Sequence, residues 1–234
     1  MFYKLSNTAT LVDIENEFDS KFKFPSIYQQ SHLINGLSEQ LLPVITLNEP
    51  NTINYAIWGL LPQNFKEDWG SFQNLTNTLN LAIETIDDID WVNSLLNQQR
   101  CLVIVTGFFT SYEFEGEIYP FYVHDKNHKP FALAGIYSQL SDGFLSVSLV
   151  TSDVKNELSE VHNIGNSFPI ALSPQNCREW LRMDKLFTKH VLSQIEQPEL
   201  KAYTISKEFY KNDIIFDDIL EPVHYKNLPT LSFK

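Results

Sequence analysis

Between Cys101 and Asp153 the chain runs through "CLVIVTGFFTSYEF", "EIYPFYVHD", "PFALAGIYSQL" and "GFLSVSLVTSD" almost without a break. Each run is rich in branched and aromatic residues, and each reads as a strand. Glu115-Gly116 joins the first two and has the residue types of a hairpin turn, and Asp142-Gly143 separates the last two. Four successive strands at such short spacing predict an antiparallel sheet or an open barrel.

The flanking sequence supplies helices. "TATLVDIENEFDSKF" places Leu11, Ile14 and Phe18 on one face, as an amphipathic helix would. "LLPVITL" and "NYAIWGLLP" read as two further strands. "SFQNLTNTLNLAIETI" and "DIDWVNSLLNQQR" mix helical spacing with turn residues, so two helices, or a loop and a helix, are expected there. "DVKNELSEVH" and "KLFTKHVLSQIE" each predict a helix. In "SPQNCREWL", Ser173 is placed as N-cap and Pro174 at the first helical position, which turns Cys177, Trp180 and Leu181 inward. "LKAYTIS" reads as a last strand. No linker or internal repeat divides the chain, so one α+β, β-rich domain over residues 1–234, a sheet or open barrel flanked by helices, is the expected architecture.

Composition narrows the function. The 234 residues carry 29 acidic and 17 basic side chains, a net charge of -12. A protein that grips a phosphate backbone does so by neutralising it with Lys and Arg. This chain has only three arginines, Arg100, Arg178 and Arg182, which makes bidentate phosphate clamping scarce. No apolar run is long enough for a membrane helix, and the N-terminus lacks the pattern of a secretion signal, so a cytoplasmic protein with no membrane partner is expected. The two cysteines, Cys101 and Cys177, sit in apolar surroundings and read as buried small hydrophobes, not as a disulfide.

Local motifs for chemistry are few. There is no P-loop, no G-x-S-x-G, no G-x-G-x-x-G and no C-x-x-C, so no cofactor is expected. "HDKNH" sets His124, Asp125 and His128 close together, but between two strands it reads as an exposed turn, and no metal site is expected. "ETIDDID", from Glu84 to Asp90, reads as a solvated, helix-capping segment. His162, in the loop "EVHNIGNSFPIALSP", reads on its own as a structural histidine.

Taken in order, "WGLLP", "NLAIET", "RCLVIVTGFF", "PFYVHD", "ALAGIY", "VTS", "VHNIGNSFPIALSP" and "KAYTIS" resemble the SRAP family, the SOS response-associated peptidases that crosslink to abasic sites in DNA. The resemblance implies an N-terminal Cys whose α-amine condenses with the abasic aldehyde and whose thiol closes a thiazolidine ring. An α-amine has a pKa near 8, so part of it is neutral and nucleophilic at neutral pH. It also implies a glutamate, a histidine and an asparagine for proton transfer and sugar binding, and arginines on the flanking phosphates.

Carried onto this sequence, the pattern is broken where the chemistry would be. The nucleophile position is Phe2, and so bulky a second residue is expected to prevent removal of Met1. Asn80, Glu84 and Thr85 survive in "NLAIET", with Ala82 in place of an Arg. Thr110 stands where the catalytic Glu is expected, and Ser111 where an aromatic is. In the loop, His162, Asn163 and Pro169 remain, while Ser167 and Phe168 replace Arg and Met; Lys4 keeps the basic residue near the terminus. The expectation is a degenerate SRAP-type protein with His162 and Asn80 as vestigial site residues and no covalent crosslinking. The alternatives are a reversible imine through the Met1 amine or Lys4, with single-stranded or abasic DNA as partner, and a retained self-cleavage activity. A Phe2 side chain filling the pocket beside Asn80, Thr110 and His162 would favour the first. No protein partner is indicated.

Overall fold

The computed structural model describes residues 2–96, 98–153, 160–182, 198–211 and 218–229. The elements are β1 (Lys4–Asn7), α1 (Leu11–Phe18), β2 (Lys21–Phe22), β3 (Ser31–Asn35), β4 (Leu41–Thr46), β5 (Thr52–Trp58), α2 (Trp69–Leu75) and β6 (Asn80–Ala82). They continue with α3 (Asp90–Leu96), β7 (Arg100–Val105), β8 (Gly107–Phe114), β9 (Glu117–Asp125), β10 (Phe131–Gln139) and β11 (Leu145–Ser152). The last are β12 (Phe168–Pro169), β13 (Ala171–Leu172), α4 (Pro174–Arg182) and β14 (Leu200–Thr204). The helices expected over "DVKNELSEVH" and "KLFTKHVLSQIE" fall largely or wholly outside the described residues.

β5, β4, β7, β10 and β11 follow one another through antiparallel pairs. A parallel pair, Leu145 opposite Ala56 and Val147 opposite Trp58, then joins β11 back to β5. The barrel foreseen as open is therefore closed, and its closing pair is parallel. A second sheet has the order β14-β9-β8-β1-β3. The class, α+β and rich in β, is the expected one.

"CLVIVTGFFTSYEF" is not one strand. It breaks at Thr106, leaving β7 in the barrel and β8 in the second sheet. Gly107 makes the transfer possible: a Cβ there would lie 2.4 Å from the Tyr122 ring. Glu115-Gly116 does form the predicted two-residue hairpin turn, with φ of 52° and 80°, between paired Phe114 and Glu117.

β7 explains why the central runs read as continuously apolar. Cys101, Val103 and Val105 enter a cluster shared with Leu5 and Phe108, whereas Leu102 and Ile104 enter one shared with Ile14, Val92 and Trp180. Both faces of the strand are covered, so no polar alternation is called for. α4 begins as expected: the Asn176 N–H donates to Ser173 Oγ and the Cys177 N–H to the Ser173 carbonyl. Cys177 and Trp180 are buried, and the Trp180 indole donates to the Cys101 carbonyl at 2.9 Å. Cys101 and Cys177 are free, buried thiols, and burial pushes the Cys177 thiol up to about 12.

Three local expectations are corrected. Asn80–Ala82 is a strand parallel to β11, not part of a helix, because Leu149–Thr151 offers it a backbone edge. Glu84 is not merely solvated: its carboxylate accepts from the Ser152 hydroxyl and the Asp153 N–H, tying it to the end of β11. His124 belongs to β9 and is buried, stacked against Tyr122 and, at 4.4 Å between centroids, against exposed His128; the turn begins only after Asp125.

Candidate functional site

Trp58 builds the floor of the site. At the end of β5 it is fully buried, and its indole N–H donates to the Leu79 carbonyl at 3.1 Å. That bond fixes the entry into β6 and so places Asn80 opposite Leu149. The Asn80 amide then donates to the Phe2 carbonyl at 2.6 Å. One wall is thus tied to the start of the chain through a backbone atom, which any residue at position 2 could supply.

The Phe2 side chain is 3% exposed. Its ring stands edge-on to Phe108 at 5.8 Å and lies 5.5 Å from the His162 ring and 6.4 Å from Phe168. His162 in turn meets Phe168 edge-on at 5.1 Å. The Phe2 ring therefore sits among Phe108, Phe168 and the His162 imidazole, and that imidazole in turn meets Thr110.

Thr110 Oγ1 lies 2.6 Å from His162 Nδ1. Burial holds the imidazole below its ordinary pKa, and a hydrogen bond to the Ser111 backbone acts against that effect. The loop is fixed by the next residue: Asn163 Oδ1 accepts from the Glu113 N–H at 2.7 Å, and its amide donates to the Glu113 carbonyl at 2.8 Å. Asn163 thus bonds β8 as a neighbouring strand would, which holds His162 over Thr110. A neutral histidine sharing a proton with a threonine can orient a polar group. No carboxylate stands at position 110 to accept a proton in its place.

The remaining sequence-selected residues lie apart from this centre. Ala82 pairs with Thr151 and is half-buried. Ser167 Oγ is buried with no hydrogen-bond partner among the described residues. Lys4 is 4% exposed; its amine donates to the Phe209 carbonyl at 2.8 Å and sits 4.1 Å from that ring. Burial lowers its pKa. Sequence reasoning missed Tyr210, whose hydroxyl donates to Ser111 Oγ across 99 positions of sequence, a contact with no local signal. Among the described residues no group of three or more His, Cys, Asp or Glu could hold a metal ion. No described helix is long and apolar enough to cross a membrane. A cleft of about 570 Å³ between α1 and α4 is lined by Asp125 but by none of Phe2, Lys4, Asn80, Ala82, Thr110, His162 and Ser167.

A barrel joined to a second sheet, with the N-terminus drawn in against an asparagine strand and a histidine loop, defines the class. The chain belongs to the SRAP (SOS response associated peptidase) family, whose model matches residues 1–212. Among solved structures it is similar to a protein from Bacteroides thetaiotaomicron, with 21% identity, a TM-score of 0.79, and coverage of 95% of this chain and 100% of that one. A Bordetella bronchiseptica protein aligns at 13% identity and a TM-score of 0.66, covering 87% of this chain and 99% of that one. A phage-related protein from the same organism aligns at 17% and 0.61, covering 87% and 93%. These likenesses concern the fold. No curated protein matches the sequence.

Proposed function

We propose that this chain is a DNA-damage-related SRAP protein, resident in the cytoplasm, that has lost covalent attachment to abasic sites and keeps the scaffold as a binding or regulatory module. The observation that carries this reading is the Phe2 ring, buried against His162, Phe108 and Phe168 in the space where a nucleophile would meet its substrate. A phenyl ring supplies neither thiol nor hydroxyl, so no ring-closed adduct forms. Thr110 cannot replace a carboxylate as proton acceptor at neutral pH. Incubation with single-stranded DNA carrying an abasic site, followed by a denaturing gel, is expected to give no shifted band. A stable covalent band would overturn the proposal.

One observation favours a second reading, a reversible imine with abasic DNA. Burial makes the Lys4 amine less basic and hence more often neutral. Against it, that amine is already bonded to the Phe209 carbonyl. Borohydride added during the same incubation separates the two: a trapped adduct lost in Lys4→Gln supports the imine, and none at low salt removes it.

A further inference from the structure

The chain carries three arginines, and two of them line the cleft between α1 and α4. Arg178 and Arg182 are one helical turn apart on α4, so both guanidinium groups belong to one helix face, where like charges repel. Arg182 is in the last turn, where the helix dipole favours a cation; Arg178, a turn earlier, gains little from it. Neither is answered by an acid: every ion pair among the described residues is made by a lysine. Both are exposed.

The floor of the cleft is apolar. Ile45, Leu102 and Leu172 line it, each at most 3% exposed, and Leu181 packs beside the same cluster. On the α1 side the charged groups are mostly engaged. Lys129 pairs with Glu17 at 2.9 Å, and Asp125 Oδ1 accepts from the Asn127 and Lys129 N–H groups. Asp19, the exposed C-cap residue of α1, keeps a negative charge on that side. The cleft is therefore polarised, with carboxylates toward α1 and two uncompensated guanidinium groups on α4.

An apolar floor beside a few convergent polar groups, in about 570 Å³, is the make-up of a small-molecule site. Guanidinium groups recognise carboxylate and phosphate oxygens through paired N–H donors. We infer that this cleft binds a small organic anion, a carboxylate or a phosphate monoester with an apolar body. Arg178 and Arg182 hold the head, and Ile45, Leu102, Leu172 and Leu181 receive the body. An inorganic anion would leave the floor in water, and a neutral apolar molecule would leave both arginines unanswered. At a net charge of -12 an anion gains nothing from the overall field, so its binding rests on this pair. None of Phe2, Asn80, Thr110 and His162 lines the cleft, so the inference is independent of the N-terminal site.

The test is isothermal titration calorimetry of the full chain with octanoate, octyl phosphate, 1-octanol and inorganic phosphate. Octanoate or octyl phosphate should bind at one site at least about tenfold more tightly than 1-octanol or inorganic phosphate, and the tighter of the two identifies the head group. Arg178→Gln with Arg182→Gln should weaken that binding by about tenfold to hundredfold, with circular dichroism unchanged. No saturable binding of either organic anion up to about 5 mM overturns the inference. So does 1-octanol that binds as tightly as the anions, or a folded double variant that binds them undiminished. Should the double variant unfold, Arg178→Gln alone decides: weakened anion binding supports the site, and unchanged binding refutes it.

Discussion

At the scale of single residues, the site is a polar pair enclosed by aromatic rings. Phe2 near the chain start is held by burial rather than by secondary structure, so Phe2→Ala should destabilise the fold by about 3 kcal/mol in urea denaturation. A loss below about 0.5 kcal/mol would mean that the ring is not packed as described. The histidines give a pH signature. Burial holds His162 and His124 below the ordinary value near 6.5. Between that value and the lowered ones, the unfolded chain binds more protons than the folded one. Their contribution is therefore complete above about pH 6.5 and is lost as the pH falls through the folded-state values. The urea midpoint should drop between about pH 7.5 and about pH 5.5, and His124→Gln with His162→Gln should reduce that drop. An equal drop in the double variant would contradict the assignment. At this scale motif positions single out Phe2 and Thr110, which the structure brings together against His162, while Ser167 meets none of them in a described bond. The sequence was silent on Lys4 meeting Phe209 and on Ser111 meeting Tyr210, because partners some hundred or more positions apart leave no local pattern.

At the scale of elements, the decisive point is the passage from β7 to β8. Gly107 lies against the ring of Tyr122, so Gly107→Ala should cost about 2–3 kcal/mol by overpacking. Tyr122→Ala should make the same glycine substitution nearly free, and a double-mutant cycle on chemical denaturation measures that coupling. Additive losses would show that the contact does not govern the passage. The same passage shows what the sequence could and could not disclose. The apolar run through Val105 and Phe108 declares strand, and the hairpin at Glu115-Gly116 declares its own turn. Nothing in residue type tells that one run serves two sheets, since both halves are buried. Asn80–Ala82 was misread for a related reason: three residues carry too little periodicity to outweigh helical neighbours, and only the edge of β11 makes them a strand.

For the whole molecule, charge sets the terms of any encounter with DNA. With a net charge of -12 and three arginines, the net field of the chain opposes the approach of a phosphate backbone. Fluorescence anisotropy with undamaged single-stranded DNA should give a dissociation constant weaker than about 100 µM at about 150 mM salt. Micromolar binding with a steep salt dependence would require a basic face. The class of fold followed from strand spacing, whereas closure of the barrel did not, because a parallel pair between Ala56 and Leu145 joins residues about ninety positions apart. That pair governs how the chain is made. During synthesis at about 5–20 residues per second, β5 emerges roughly 5–20 seconds before the strand that seals it. For that interval β4 and β2 can already pair with β5, but the Ala56–Trp58 end of one flank stays unsealed until β11 arrives, a template for pairing with a neighbouring nascent chain.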